Sequence, residues 1–345
     1  MSKIFKMCVA SVIAMSAIPT THAHAEIATP AIVDFKETDY SEWTPERMMN
    51  AEESDDIAYT QEALTTSTPD TKFAKSQDGP VFIVEPTNPT IPTDGVKIED
   101  QAIPITVGKL FSVTPNGKDF VCSASVVNSE SRNMLYTAAH CVYTIRTDDG
   151  NIEGPHSNLR FIPAYHEVED PEDPNATTIN MPYGEWFIQN TSVFQGWTND
   201  KKRQYDQAFI SLEPNSEGQN ILDLVGGNGL THNDERAQGF IDIWGYPTVT
   251  TQEYEADTTR PDHCRVFIVP SNEVVPGGVQ ATCSMTAGSS GGPWIRDMSD
   301  PNKGYIIAVT SGRLDETWYD RTKMHGALNN EDTLALYKHR EQDSS

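Results

Sequence analysis

Residues 283–294 read CSMTAGSSGGPW, and they are the stretch best suited to chemistry. A run of small residues closing on Gly291-Gly292-Pro293 neither continues a helix nor packs a strand face, so a tight turn with unusual backbone angles is expected. Such a turn presents a side chain to a substrate. Ser290 is the candidate nucleophile, because the glycines around it let a carbonyl approach the backbone N–H groups of Gly288 and Ser290, an oxyanion hole in the making. Taken alone, a Ser/Gly turn is as often an ordinary loop. A serine hydroxyl is a poor nucleophile at neutral pH and needs a base within hydrogen-bond reach, and the base needs a third group to hold it. LYTAAHCV at 135–142 offers the base, with His140 following an apolar strand-like run and preceding a cysteine. YDQAFISL at 205–212 offers the third group, with Asp206 at the mouth of an alternating apolar strand. Of the nine histidines only His140 has that context. Asp148, Asp149 and Asp200 also lie between His140 and Ser290, but none of them precedes a comparable strand.

The chain order His140, Asp206, Ser290 is that of the chymotrypsin class, whereas subtilisins and α/β-hydrolases order their triads differently. With TAAHC and GSSGGP in place, the sequence resembles the secreted bacterial trypsin-like serine peptidases, on the branch that includes the glutamyl endopeptidases. The resemblance runs from about residue 111 to about residue 338. It implies that His140 takes the proton from Ser290 and returns it to the leaving amine, while Asp206 fixes the imidazole tautomer. It implies an all-β fold of two six-stranded antiparallel barrels, with the active site between them. It places Ser284 at the floor of the specificity pocket and Ser311 and Gly312 on its wall. A neutral Ser284 argues against selection of Lys or Arg. Thr310 stands where glutamyl endopeptidases carry a histidine, a departure that argues against strict glutamate selection; the expected pocket takes an uncharged or acidic side chain, with Arg313 a further candidate for positive charge. Ser289 stands where digestive members carry an aspartate that pairs with a new N-terminal ammonium. That activation switch is therefore absent, and restraint of a zymogen falls to a propeptide.

The elements that must position these residues read as short strands separated by turn signals from Ile103 onward. ITVGKLFSV, DFVCSASVVN, NMLYTAAH, NLRFIPAY, QAFISL, GFIDIWGY, RVFIVP and YIIAVTSG are the clearest. Helical periodicity is best in NEDTLALYKHR near the C-terminus, so many strands and one C-terminal helix are expected. Residues 26–100 differ in texture, with 17 acidic and 5 basic side chains, seven prolines and little apolar periodicity. Such a stretch does not build a core of its own. Thr44 and Pro45 cap a short helix start there, too short to stand alone, which must dock on something. Residues 1–25 carry Lys3 and Lys6, an apolar run and Ala23-His24-Ala25, the pattern of a cleaved signal. The domain reading is therefore signal peptide 1–25, acidic propeptide or leader 26–100, and peptidase domain 101–345.

Losing Cys8 with the signal leaves Cys122, Cys141, Cys264 and Cys283, an even number for an oxidising compartment, with three possible pairings. The family resemblance favours Cys122 with Cys141 and Cys264 with Cys283. No close C-x-x-C spacing supports a metal site. The formal charge of −25 becomes −27 once Lys3 and Lys6 are gone, which disfavours nucleic acid and anionic lipid as partners. Protein or peptide substrates and the chain's own propeptide are the expected partners of a secreted monomer without a membrane anchor. No cofactor is expected. The acidic loop at 167–173 offers carboxylate oxygens of the kind calcium takes, although such loops are more often only solvated. Gly226-Gly227-Asn228-Gly229 lacks the Lys-Ser/Thr of a phosphate loop and reads as a turn. The competing function class is an inactive binding or adhesin module on the same fold, which retention of all three triad residues disfavours. An esterase would need G-x-S-x-G and the order Ser, Asp, His.

Overall fold

The computed structural model of the chain describes residues 30–51, 82–91, 103–145, 152–171, 173, 176–232, 239–248, 257–271, 275–300, 303–313 and 323–342. Two strands, β1 (Ile32–Lys36) and β2 (Phe82–Val84), come first, with a one-turn helix at Pro45–Met49 between them. The first barrel takes β3 (Val107–Val113), β4 (Asp119–Val127) and β5 (Met134–Thr137). A minor hairpin follows, β6 (Tyr143–Thr144) with β7 (Gly154–Pro155), and then barrel strand β8 (Ser157–Pro163). A second hairpin, β9 (His166–Glu169) with β10 (Thr177–Asn180), precedes the last two barrel strands, β11 (Trp186–Phe194) and β12 (Ala208–Leu212). The order β3-β4-β5-β12-β11-β8 closes through β8 onto β3, giving six antiparallel strands.

Strand β13 (Gly229–His232) leads into the second barrel, built from β14 (Gly239–Gly245), β15 (Asp262–Ser271), β16 (Gly278–Thr282), β17 (Pro293–Asp300), β18 (Lys303–Arg313) and β19 (Lys323–Leu328). Its order β14-β15-β16-β19-β18-β17 closes through β17 onto β14. The chain ends in a helix at Glu331–Gln342, and Asn330, whose Oδ1 accepts from the N–H groups of Asp332 and Thr333, serves as its cap. The expected all-β architecture with a C-terminal helix is therefore the observed one.

Burial follows from where each strand lies. β4 is buried on both faces after its first residue, because its inner face fills the barrel and its outer face meets the second barrel. The small Ser123 stands at that approach, its N–H and hydroxyl both donating to second-barrel carbonyls. β15 instead alternates between exposed and covered side chains, as expected of a strand with one solvated face. The helix start at Thr44 forms as expected, with Thr44 Oγ1 accepting from the Arg47 N–H at 3.2 Å. Its residues do more than dock: Trp43, Met48 and Ala51 are buried in the same apolar cluster as the first barrel's core. The Gly226–Gly229 turn closes a short helix at Ile221–Val225, and Asn228 is buried with its amide donating to Thr106 and Ser125 hydroxyls. Both expected disulfides are present, Cys122–Cys141 and Cys264–Cys283, each closing a loop of 19 residues' separation. Each stabilises by roughly 3 kcal/mol in the chain-entropy account.

Candidate active site

His140, Asp206 and Ser290 lie in turns next to strand ends: after β5, before β12 and before β17. β5 ends at Thr137, and a 3₁₀ turn at Ala139–Cys141 carries His140, which is 5% exposed. The disulfide to Cys122 on β4 clamps the residue after His140, so the turn cannot swing away from the barrel. Asp206, fully buried, sits in the turn just before β12. It binds His140 twice: Oδ1 accepts from the His140 backbone N–H at 2.9 Å, and Oδ2 lies 2.8 Å from Nδ1. A carboxylate only accepts, so Nδ1 carries the proton of this bond and the other ring nitrogen, Nε2, is the one with basic character.

A third donor to Asp206 comes from the second barrel. Ser311 Oγ donates to Oδ2 at 2.5 Å. Burial pushes the Asp206 carboxyl up, but the His140 ring and backbone and the Ser311 hydroxyl outweigh it and hold the group below the ordinary carboxylate range. The sequence placed Ser311 on the pocket wall. Its hydroxyl also completes the shell of Asp206, a contact whose only sequence signal is a serine closing the apolar run of β18.

The turn bearing the candidate nucleophile Ser290 is fixed largely by backbone contacts. Ser289 N–H and Oγ both donate to Thr286 O, at 3.2 and 2.6 Å, and Gly292 N–H donates to Ser289 O. Gly291 N–H donates to Thr310 O while Thr310 N–H returns a bond to Gly292 O, tying the turn to β18. Ser290, 6% exposed, gives its carbonyl to the Ser123 N–H at 2.7 Å, and Ser123 Oγ donates to Gly288 O. Gly288 and Gly291 have φ of +91° and +75°, the left-handed region expected of this turn. A Cβ on Gly291 would lie 2.0 Å from Thr137 Oγ1, so this glycine lets the turn rest against the strand that delivers His140. His140, Asp206 and Ser311 are thus joined by direct hydrogen bonds, and Ser290 is held to them through Ser123 and Thr137.

The expected pocket residues are less alike. Ser284 is half-buried beside the disulfide residue Cys283. Thr310 is buried, and its hydroxyl accepts from Trp294 Nε1 at 2.9 Å, so it is engaged in the barrel core. Gly312 pairs in register with His325, a fully buried histidine that the sequence reading passed over. Also missed were Trp197, whose ring lies 6.4 Å from that of His140, and His156, buried behind the His140 turn. Cys122, His140 and Cys141 cluster as metal ligands would, but the two sulfurs are bonded to each other and neither is a thiolate. Of the acidic loop, Glu167 Oε1 accepts from the Tyr165 hydroxyl, while Glu172 lies outside the described residues. Residues 1–25 and the loop bearing Asp148 and Asp149 also lie outside them.

Two closed six-stranded barrels with a buried His–Asp couple match the chymotrypsin-type serine protease fold. Among solved structures, the chain is similar to the thermostable serine protease AL20 from an extremophilic microorganism, with 25% identity over 73% of this chain and 99% of that one and a TM-score of 0.55. Protease Anisep from Arthrobacter nicotinovorans matches with 24% identity over 70% of this chain and 97% of that one, at a TM-score of 0.57. A Glu endopeptidase at 15% identity and a TM-score of 0.48 is too distant to bear on specificity. No protein-family model and no curated protein matches the chain. Among the described residues no helix is long and apolar enough to cross a membrane.

Proposed function

We propose that the protein is a secreted serine endopeptidase that cleaves peptide bonds through an acyl-enzyme formed on Ser290. The observation that carries this reading is Asp206 gripping both the backbone and the ring of His140, with the Ser290 turn locked to the same strands. His140 Nε2 removes the hydroxyl proton as Ser290 attacks the scissile carbonyl, and the imidazolium is stabilised by the ionised Asp206. The backbone N–H groups of Gly288 and Ser290 receive the developing oxyanion. His140 then protonates the leaving amine, and water repeats the sequence to release the acid. No cofactor is required.

The neutral Ser284 supports a primary pocket for uncharged or acidic side chains. Two disulfides support an oxidising compartment, and residues 1–25 act as the export signal. Residues 26–100 act as the pro-segment of a monomeric enzyme. Ser289, with its hydroxyl held by Thr286 O, leaves no carboxylate for an N-terminal ammonium to pair with.

The test is covalent and proteolytic together. The protein should be labelled by an organophosphonate and should cut an unfolded peptide library, the residue before each cut naming the pocket. Ser290→Ala should lose both while keeping its unfolding midpoint. Failure of the parent protein to be labelled would favour the inactive binding module.

A further inference from the structure

The stretch with the least core-forming sequence supplies a missing piece of the first barrel. That barrel closes between β8 and β11 at only two register pairs, Phe161 with Trp186 and Arg160 with Phe187. Beyond them β11 would present an unpaired edge over residues 190–194, and β1 covers it in register, from Lys36 opposite Asn190 to Ile32 opposite Phe194. Glu37, 6% exposed, sits where the two barrel strands part. Its Oε1 accepts from the N–H groups of Thr38 and Asp39 and its Oε2 from the Leu159 N–H on β8, each at 2.9 Å. Trp43 packs on Phe111 with ring centroids 5.4 Å apart and donates its indole N–H to Asn158 O at 2.8 Å. Arg47 lies over the Trp43 ring and grips the Asp119 carboxylate with two N–H groups. Asp34 accepts from Arg340 Nη1 and Ser192 Oγ and meets His339 Nε2, tying β1 to the C-terminal helix.

The rest of the chain is shaped around the leader in turn. A Cβ on Gly229 would lie 2.1 Å from Val84 O, and one on Gly226, at φ +70°, 2.5 Å from Thr87 O. Gly226 and Gly229 thus leave the room in which β2 and the residues after it are seated. The segment also reaches the catalytic side. Ala31 O accepts from the Gln195 N–H at 2.7 Å at the start of the short helix bearing Trp197, and Phe35 packs on Tyr143, whose carbonyl accepts from Trp197 Nε1.

We propose that residues 30–51 are a permanent light chain of the folded unit, remaining bound without a covalent link after the chain is cut between residues 51 and 103. The inference refines the pro-segment reading of residues 26–100: the docked part is kept, and it is independent of whether the site cleaves peptides. A released propeptide would have to strip a barrel edge, a buried carboxylate and a core tryptophan at once.

The test uses the full chain carrying Ser290→Ala, so that self-digestion plays no part, with a recognition sequence for a specific protease inserted among residues 60–70. After cutting, size exclusion at neutral pH should return both pieces in one peak, separable only in denaturant. A fragment containing residues 30–51 that elutes apart from a still-folded remainder would overturn the proposal. Trp43→Ala should weaken retention most. Because that variant can also impair folding, Arg47→Gln at the rim provides the second reading, with the dissociation constant of the fragment rising roughly tenfold. Retention indifferent to both substitutions would count against the interface described. Organophosphonate labelling of the uncleaved parent reports on the peptidase reading separately.

Discussion

Asp206 can serve His140 only while ionised, and three hydrogen bonds keep it so against full burial. Asp206→Asn preserves shape but no longer imposes the tautomer, so kcat should fall by roughly 10³–10⁴-fold with KM little changed. Ser311→Ala removes one charge-assisted bond of three and should cost about tenfold in kcat. The carboxyl's folded pKa is depressed, so its stabilising contribution is present above the ordinary carboxylate range and is lost as pH falls through the depressed value. Steady-state kinetics of the two variants, with the acid limb of the parent's stability curve, check this account.

At the scale of elements, the His140 turn is held from behind by His156. Its ring meets Ser112 Oγ on β3 at 2.9 Å and Thr144 Oγ1 on β6 at 2.8 Å, its backbone N–H donates to Val142 O, and Phe120 packs edge-on against the ring. Burial first, and then the neighbouring His140, push its pKa down to about 3, although a backbone bond with Cys141 works the other way. The folded state therefore holds His156 neutral, while the unfolded chain takes up a proton below about 6.5. The resulting stability is present above that pH and is lost between about pH 6.5 and 3. His156→Gln, which keeps polar groups without the titration, should flatten this limb by a few kcal/mol, read as unfolding midpoint against pH. The Cys122–Cys141 bond and the His156 bonds act on one short turn, so their removal should not be additive.

The whole molecule depends on how its barrels meet. Lys109 on β3 pairs in register with Ser123, whose hydroxyl bridges Gly288 O and the Tyr246 N–H of the second barrel. Its side chain is 2% exposed, with the ammonium 4.4 Å from the Tyr165 ring centroid. Burial pulls its pKa down to about 8, with Glu167 opposing. The sign is opposite in kind to a paired lysine: below about pH 8 both states are charged and the folded state bears the desolvation cost. Between about 8 and 10.5 the unfolded chain binds more protons, so stability should rise with pH. Lys109→Met should remove that rise and stabilise the protein by about 1–3 kcal/mol at pH 7, measured by urea unfolding.

Much of the site was legible because its requirements are local. A nucleophile turn needs glycines at left-handed positions, and GSSGGP spells them out; the His140 turn sits between an apolar strand and a cysteine within a few residues. Eight of the strands, the C-terminal helix and the Thr44 cap were readable for the same reason, since periodicity and capping depend on near neighbours, whereas the number of barrel strands came from the family resemblance. What the chain alone left open involves partners far apart in sequence. Ser311 bonds Asp206 across 105 residues, and Glu37 bonds Leu159 across 122. Low apolar content in residues 26–100 led to the expectation that the segment builds no core of its own. Only the tertiary structure decided that residues 30–51 join another's, because a strand edge is satisfied by whichever segment can reach it, and local composition does not name that segment.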